Sequence, residues 1–200
     1  MEGRCDWCGT DPLYQRYHDT EWGVPERDAR KLWEMLVLES FQSGLSWITI
    51  LRKREGFRAA FAGFDPEIVA GWGEADILRL LADAGIVRHR GKIAATIANA
   101  RAFLTIENGT GGFSQCVWDS VDGRTIVNRP RRMADVAGST ERSARLSKRL
   151  RAAGFAFCGP TTVHAFMQAA GLVNDHLVSC PRHGELAALV TDVTAPAARR

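Results

Sequence analysis

The chain has 200 residues, 46% of them hydrophobic and 24% charged, with a formal net charge of +3. That is the composition of a folded globular protein, and its mildly basic balance permits a nucleic-acid partner without demanding one. No apolar run approaches the roughly 20 residues of a membrane span. The opening MEGRCDWCGTD lacks the apolar core of a signal peptide, so the five cysteines are expected as reduced thiols or metal ligands in the cytoplasm rather than as disulfides.

Cysteines and histidines gather at the two ends of the chain. Cys5, Cys8 and His18 come first; His176, Cys180 and His183 close the set. A predicted short helix over 174–180 would put His176 and Cys180 four apart on one face. Four such N and S groups suit a closed, structural zinc site. Spacing leaves open whether Cys5 or Cys8 serves at one end, and Cys180 or His183 at the other. Unliganded thiols are the alternative.

The first long helix is predicted over 28–40. Ala29, Leu32, Trp33, Leu36, Val37 and Ser40 share its broad apolar face. Glu39 lies three residues after Leu36 and leans toward that surface. It also sits near the helix C-terminus, where the dipole disfavours an anion. Two penalties on one carboxylate point to use, although a solvated side chain at a frayed helix end is the plain alternative. With Tyr14, Tyr17, Trp22 and Trp47 nearby in sequence, an acid among large aromatics suits a pocket for a flat, cationic or donor-bearing ligand.

Further helices are predicted over about 46–54, 65–71, 74–83, 91–106, 112–120, 140–153 and 160–170. Residues 125–128, TIVN, can be extended, and 121–139 form the longest irregular segment. The expectation is an all-α fold of short helices in one domain, residues 1–183, of two helical lobes, one formed by both chain ends. The tail 184–200 is expected to be poorly ordered. The helix 140–153 carries Arg142, Arg145, Lys148, Arg149 and Arg151 and stops at Gly154. The turn GFAFCG then leads to Pro160 and Thr161 at the start of the next helix. Glycines flanking such a turn let the amides of a helix N-terminus approach a phosphate, which is the helix-hairpin-helix arrangement. The segment AGIVRHRGK at 84–92 has similar glycine spacing.

The segments RCDW (4–7), DPLYQRYHDTEWGVP (11–25), ESFQSGLSWITILRKRE (39–55), AGIVRHRGKI (84–93) and AFMQAAGLVNDH (165–176) closely resemble the bacterial 3-methyladenine DNA glycosylase I family. The resemblance covers residues 4 to 182. It implies a helix-hairpin-helix DNA glycosylase that flips 3-methyladenine out of double-stranded DNA and hydrolyses its N-glycosidic bond. The product is an abasic site, with no lyase step and no organic cofactor, and the enzyme acts as a monomer away from membranes. It also implies a structural zinc on Cys5, His18, His176 and Cys180. The base pocket maps onto Glu39, Tyr17 and Trp47, lined by Trp22 and Trp7. DNA contacts map onto Gly154, Gly159, Thr161, Arg145 and Lys148. Between Thr161 and Val173 there is no acid to act as the catalytic aspartate usual in that superfamily. Asp175 is expected to orient His176, with a minor catalytic role left open, and Leu45 is the candidate wedge for the gap left by the flipped base. The competing readings are a zinc-stabilised DNA-binding module without activity, and a metallohydrolase with an open metal position.

Overall fold

The computed structural model describes residues 3–192. Helix α1 (Pro12–Thr20) starts where Asp11 accepts hydrogen bonds from the Leu13 and Tyr14 amides and Pro12 takes the first helical position. Asp28 caps α2 (Ala29–Gln42) in the same way, through the Lys31 amide. There follow α3 (Trp47–Ala60), α4 (Pro66–Ala70), α5 (Glu74–Ala82), α6 (Arg90–Glu107), α7 (Gly112–Trp118), α8 (Glu141–Ala152), α9 (Pro160–Ala169) and α10 (Pro181–Asp192).

Helix α2 is the centre of the main core and packs against α3, α6, α7 and α9. Leu32, Trp33, Leu36 and Phe41 are fully buried. From Phe41 an aromatic series runs through Phe57, Phe61 and Phe64, with successive ring centroids 4.7, 6.2 and 5.8 Å apart. This packing holds α2 against α3 and so fixes Glu39 relative to Trp47.

The two ends of the described chain meet in a second, smaller cluster of Cys5, Leu177 and Cys180, with Trp7 packed on it. Gly171, at φ +72°, makes that junction possible: a Cβ there would stand 2.5 Å from the backbone of Val24 and Pro25. That close approach lets Gly23 N–H donate to Ala169 O and Glu26 N–H to Ala170 O.

The architecture is mostly helical, as expected, with one small exception. Ile126–Val127 (β1) pairs in parallel with Val173–Asn174 (β2), so TIVN is extended. Three expectations need correcting. Residues 174–180 are not a helix: Asn174 lies in β2, its side chain accepts from His176 N–H and donates to His183 O, and only a single turn follows. These local bonds outcompete helical ones. The expected tail does not begin at Gly184, because α10 runs to Asp192 and buries Leu186; residues 193–200 lie outside the described residues. Helix α1 was absent from the periodicity reading, although Asp11-Pro12 is the same start signal as Asp65-Pro66. Among the described residues no helix is long and apolar enough to cross a membrane.

Candidate base pocket and metal cluster

Glu39 projects from the last turns of α2 and is 5% exposed, so it is not a solvated helix-end carboxylate. It makes no hydrogen bond or ion pair to the described residues. Burial pushes its carboxyl up to about 8. At neutral pH it is therefore mostly protonated, although a cation arriving beside it would favour the anion. It faces a cavity of about 240 Å³ that Trp7, Tyr14, Tyr17, Trp22 and Trp47 also line. The sequence-predicted pocket residues thus come together. Tyr17 and Trp47 lie 5.4 Å apart between ring centroids, and Trp7 meets Trp22 edge-on at 4.9 Å. The Trp47 indole N–H is buried without an acceptor.

Five further lining residues were not singled out from the sequence: Met133 and Val136, from the irregular segment, and Gln42, Ala165 and Gln168. Asp175 lines the cavity too, which corrects its expected role. Its carboxylate accepts from Asn128 Nδ2 at 2.7 Å and Gln168 Nε2 at 2.8 Å, with His164 Nε2 at 3.6 Å, and it does not bond His176. Burial pushes Asp175 up, but His164, Gln168 and Asn128 outweigh that and hold it below the usual carboxylate range. The surroundings thus push the two carboxyl groups of one cavity in opposite directions.

Behind Trp22 lie Cys5, His18, His176 and Cys180, all buried, with one ligand atom of each within 4.8 Å of the others. His18 Nε2 is 3.6 Å from Cys180 Sγ, and His176 Nδ1 is 3.7 Å from Cys5 Sγ and 3.6 Å from Cys180 Sγ. With Zn–N and Zn–S bonds of the usual length, a tetrahedral site has N···S edges of about 3.6 Å. The outer ring nitrogens are occupied elsewhere. His18 Nδ1 meets Asp19 Oδ1 at 2.8 Å, and His176 Nε2 meets Trp22 O at 3.2 Å. Each imidazole is thereby held with its lone pair turned into the cluster. Arg4 grips Asp19 through Nε and a terminal nitrogen in turn. Sequence reasoning missed this pair, although Asp19 adjoins His18. Cys8 and His183 stand outside: the Cys8 thiol donates to Cys5 O, and His183 Nε2 faces Asn128 O at 2.7 Å.

The turn at 154–159 is built as its sequence suggests. Gly154 takes φ +102° after α8, Asn99 exchanges two hydrogen bonds with the Ala156 backbone, and Ser147 Oγ donates to Cys158 O. Gly159 caps α9 without a side-chain acceptor, and Thr161 is exposed in the first turn. The basic face of α8 is less free than its charge suggests. Arg142 pairs with Asp122, Arg149 with Asp119 and Arg145 with Glu141, whereas Lys148 is exposed with no ion pair.

The methyladenine glycosylase family model matches residues 7–183. The chain is 52% identical over 177 residues to DNA-3-methyladenine glycosylase 1 of Escherichia coli strain K12, covering 88% of this chain and 95% of that protein. A crystal structure of 3-methyladenine DNA glycosylase I superposes with a TM-score of 0.88 at 52% identity, over 89% of this chain and 98% of the other. A structure describing 3-methyladenine recognition by the Staphylococcus aureus enzyme gives 0.86 at 41% identity, over 90% and 97%. With its aromatic pocket around Glu39 and this extent of similarity, the chain belongs to the methyladenine glycosylase family.

Proposed function

We propose that this protein is a DNA glycosylase that excises 3-methyladenine from alkylated DNA. The observation that carries the reading is the buried, unpartnered Glu39 carboxyl facing an aromatic cavity of purine size. A base stacked in a duplex cannot enter such a cavity, so the damaged nucleotide is turned out of the helix first. Tyr17 and Trp47, in contact with each other, offer aromatic surface to the flat cation, with Trp22 and Trp7 also lining the cavity. As the cation approaches, Glu39 loses its proton to solvent through the open side of the cavity, and its carboxylate accepts hydrogen bonds from the donor edge of the base.

3-Methyladenine in DNA carries a positive charge. When its bond to the sugar C1′ breaks, the electron pair stays on the base, which leaves neutral and needs no protonating acid. Water adds to C1′ and loses a proton to solvent, giving an abasic site. Unmethylated adenine brings no charge to Glu39 and gains less from the same pocket, so selection and rate share one source. The anionic Asp175 stands in the same cavity, where a developing positive charge on the sugar would be favoured. No lysine is assigned to a lyase step.

Cys5, His18, His176 and Cys180 would hold a zinc ion. Bound there, it supplies a cross-link between distant parts of the chain and no bond-breaking chemistry, since four protein ligands leave no open position. The turn at 154–159 fits a helix-hairpin-helix grip on the phosphate backbone, through Gly154, Gly159, Thr161 and Lys148; the ion-paired Arg145 contributes less. Five unbridged cysteines agree with a cytoplasmic setting, and the pocket is complete within one chain, as a monomer needs.

The test is to incubate the protein with duplex DNA treated with a methylating agent and to identify the bases set free. Free 3-methyladenine in excess over 7-methylguanine is expected. Duplex binding without any released base would favour a non-enzymatic DNA-binding module instead.

A further inference from the structure

Lys92 is a buried cation with no acid beside it. It is 7% exposed, and no carboxylate among the described residues lies within salt-bridge distance. It sits in the first turn of α6, the end of a helix dipole that repels positive charge. Burial and dipole both oppose it there. Its ammonium instead crosses to the end of α2, donating to Phe41 O at 2.9 Å and Ser43 O at 2.6 Å. Carbonyls at a helix C-terminus lack partners and carry partial negative charge, so this is a favourable place for a cation.

The backbone that Lys92 grips is the turn between the Glu39 helix and the Trp47 helix. Leu45 N–H donates to Gln42 O, Gln42 Nε2 donates to Leu45 O at 2.7 Å, and Gly44 takes φ +85° to close the turn. Gln42 lines the base pocket, and at the tip Leu45 leaves an apolar side chain 40% exposed. An exposed apolar side chain three residues beyond pocket-lining Gln42 can fill the gap left by an extruded nucleotide.

We propose that Lys92 is the positioning residue of this turn, holding Leu45 where it enters the duplex while the base occupies the pocket. The inference rests on the glycosylase reading above. Lys92 does not touch the base. The Phe41–Phe57 packing of α2 on α3 holds Glu39 and Trp47 by side-chain contacts that do not include the Lys92 ammonium. Loss of the ammonium should therefore affect DNA opening more than base binding.

The experiment compares wild type with Lys92→Met, Lys92→Arg, Leu45→Ala and the Lys92→Met/Leu45→Ala double variant. Three quantities are read: single-turnover release of 3-methyladenine from duplex, the same from single-stranded DNA, and affinity for free 3-methyladenine. Lys92→Met should lose on the order of tenfold to a hundredfold on duplex, the scale of a misplaced positioning group. It should lose much less on single strands and keep its affinity for the free base. Lys92→Arg should recover most of the duplex rate, and the double variant should be no slower than Leu45→Ala alone. Wild-type duplex rates in Lys92→Met would overturn the proposal. Equal losses in all three quantities would also overturn it, marking Lys92 as a general stability element. A wild type that releases no base would instead overturn the underlying glycosylase reading.

Discussion

Around Trp22 the molecule holds two buried polar regions built on opposite plans. In the Cys5–His18–His176–Cys180 cluster, each ring nitrogen that faces away meets an acceptor, and three of the inward N···S separations are 3.6 or 3.7 Å. In the pocket, Glu39 has no partner, the Trp47 N–H has none, and the aromatic rings leave a cavity between them. An internally satisfied polar cluster holds a fold together. An unsatisfied carboxyl in apolar surroundings costs stability and is retained where a ligand completes it. This contrast is what supports the proposal that the Cys/His cluster has a structural part and that the chemistry belongs to the pocket.

Breaking the satisfied side should have the larger effect on the fold. Cys180→Ala removes a ligand joining α1 to the segment before α10. Loss of a few kcal/mol moves Tm by roughly 2–4 °C per kcal/mol at this chain length, so a fall on the order of 10 °C is expected by calorimetry. Metal analysis of the wild type should give one zinc per chain. A Cys180→Ala variant as stable as wild type would remove the structural role.

On the unsatisfied side, Trp47→Ala should weaken free 3-methyladenine binding and, because Trp47 also packs against the main core, lower Tm as well. Stacking on an aromatic face contributes about 1–3 kcal/mol, or roughly fivefold to a hundredfold in Kd, readable by titration calorimetry. A large loss of undamaged-duplex affinity in the same variant would contradict the division between pocket and backbone grip.

A further effect concerns stability and pH. The folded-state value of Glu39 is raised from 4.5 to about 8 by burial. Between those values the unfolded chain has released a proton that the folded chain keeps, so this group's contribution to stability falls as pH rises through the window. Glu39→Gln has no such proton. Its Tm should therefore gain on wild type steadily from about pH 5 to pH 8. A difference that is flat with pH, or of the opposite sign, would mean that the carboxyl is ionised in the folded protein.

The two regions also differ in how legible they were. Glu39 stood out because an acid on an apolar helix face is a local contradiction, readable from 3.6-residue periodicity. The donor types of the Cys/His cluster were readable as well, but spacing left open the choice of Cys5 over Cys8 and Cys180 over His183, which only the family resemblance implied. The fold decides it, through β2 and the turn that follows. The i, i+4 spacing of His176 and Cys180 suggested a helix, whereas Asn174 bonding His176 and His183 makes a loop that brings the same atoms together. Met133, Val136, Gln168 and Asp175 reach the cavity only through tertiary packing, for which neither spacing nor composition has a signature. On α8 the count of basic residues overstated the free charge, because Asp119, Asp122 and Glu141 pair with three of the arginines.

The most direct measurement of the central claim is single-turnover release of 3-methyladenine from duplex DNA by wild type and Glu39→Gln, with zinc content and undamaged-duplex affinity measured on both. The amide keeps the shape and one acceptor but cannot become an anion when the cation arrives. Release should fall by on the order of a hundredfold to a thousandfold, the scale for loss of a preorganised electrostatic group, with zinc content and duplex affinity unchanged. Wild-type release rates in Glu39→Gln would show that the buried carboxyl is a bystander and that the chemistry lies elsewhere in the cavity.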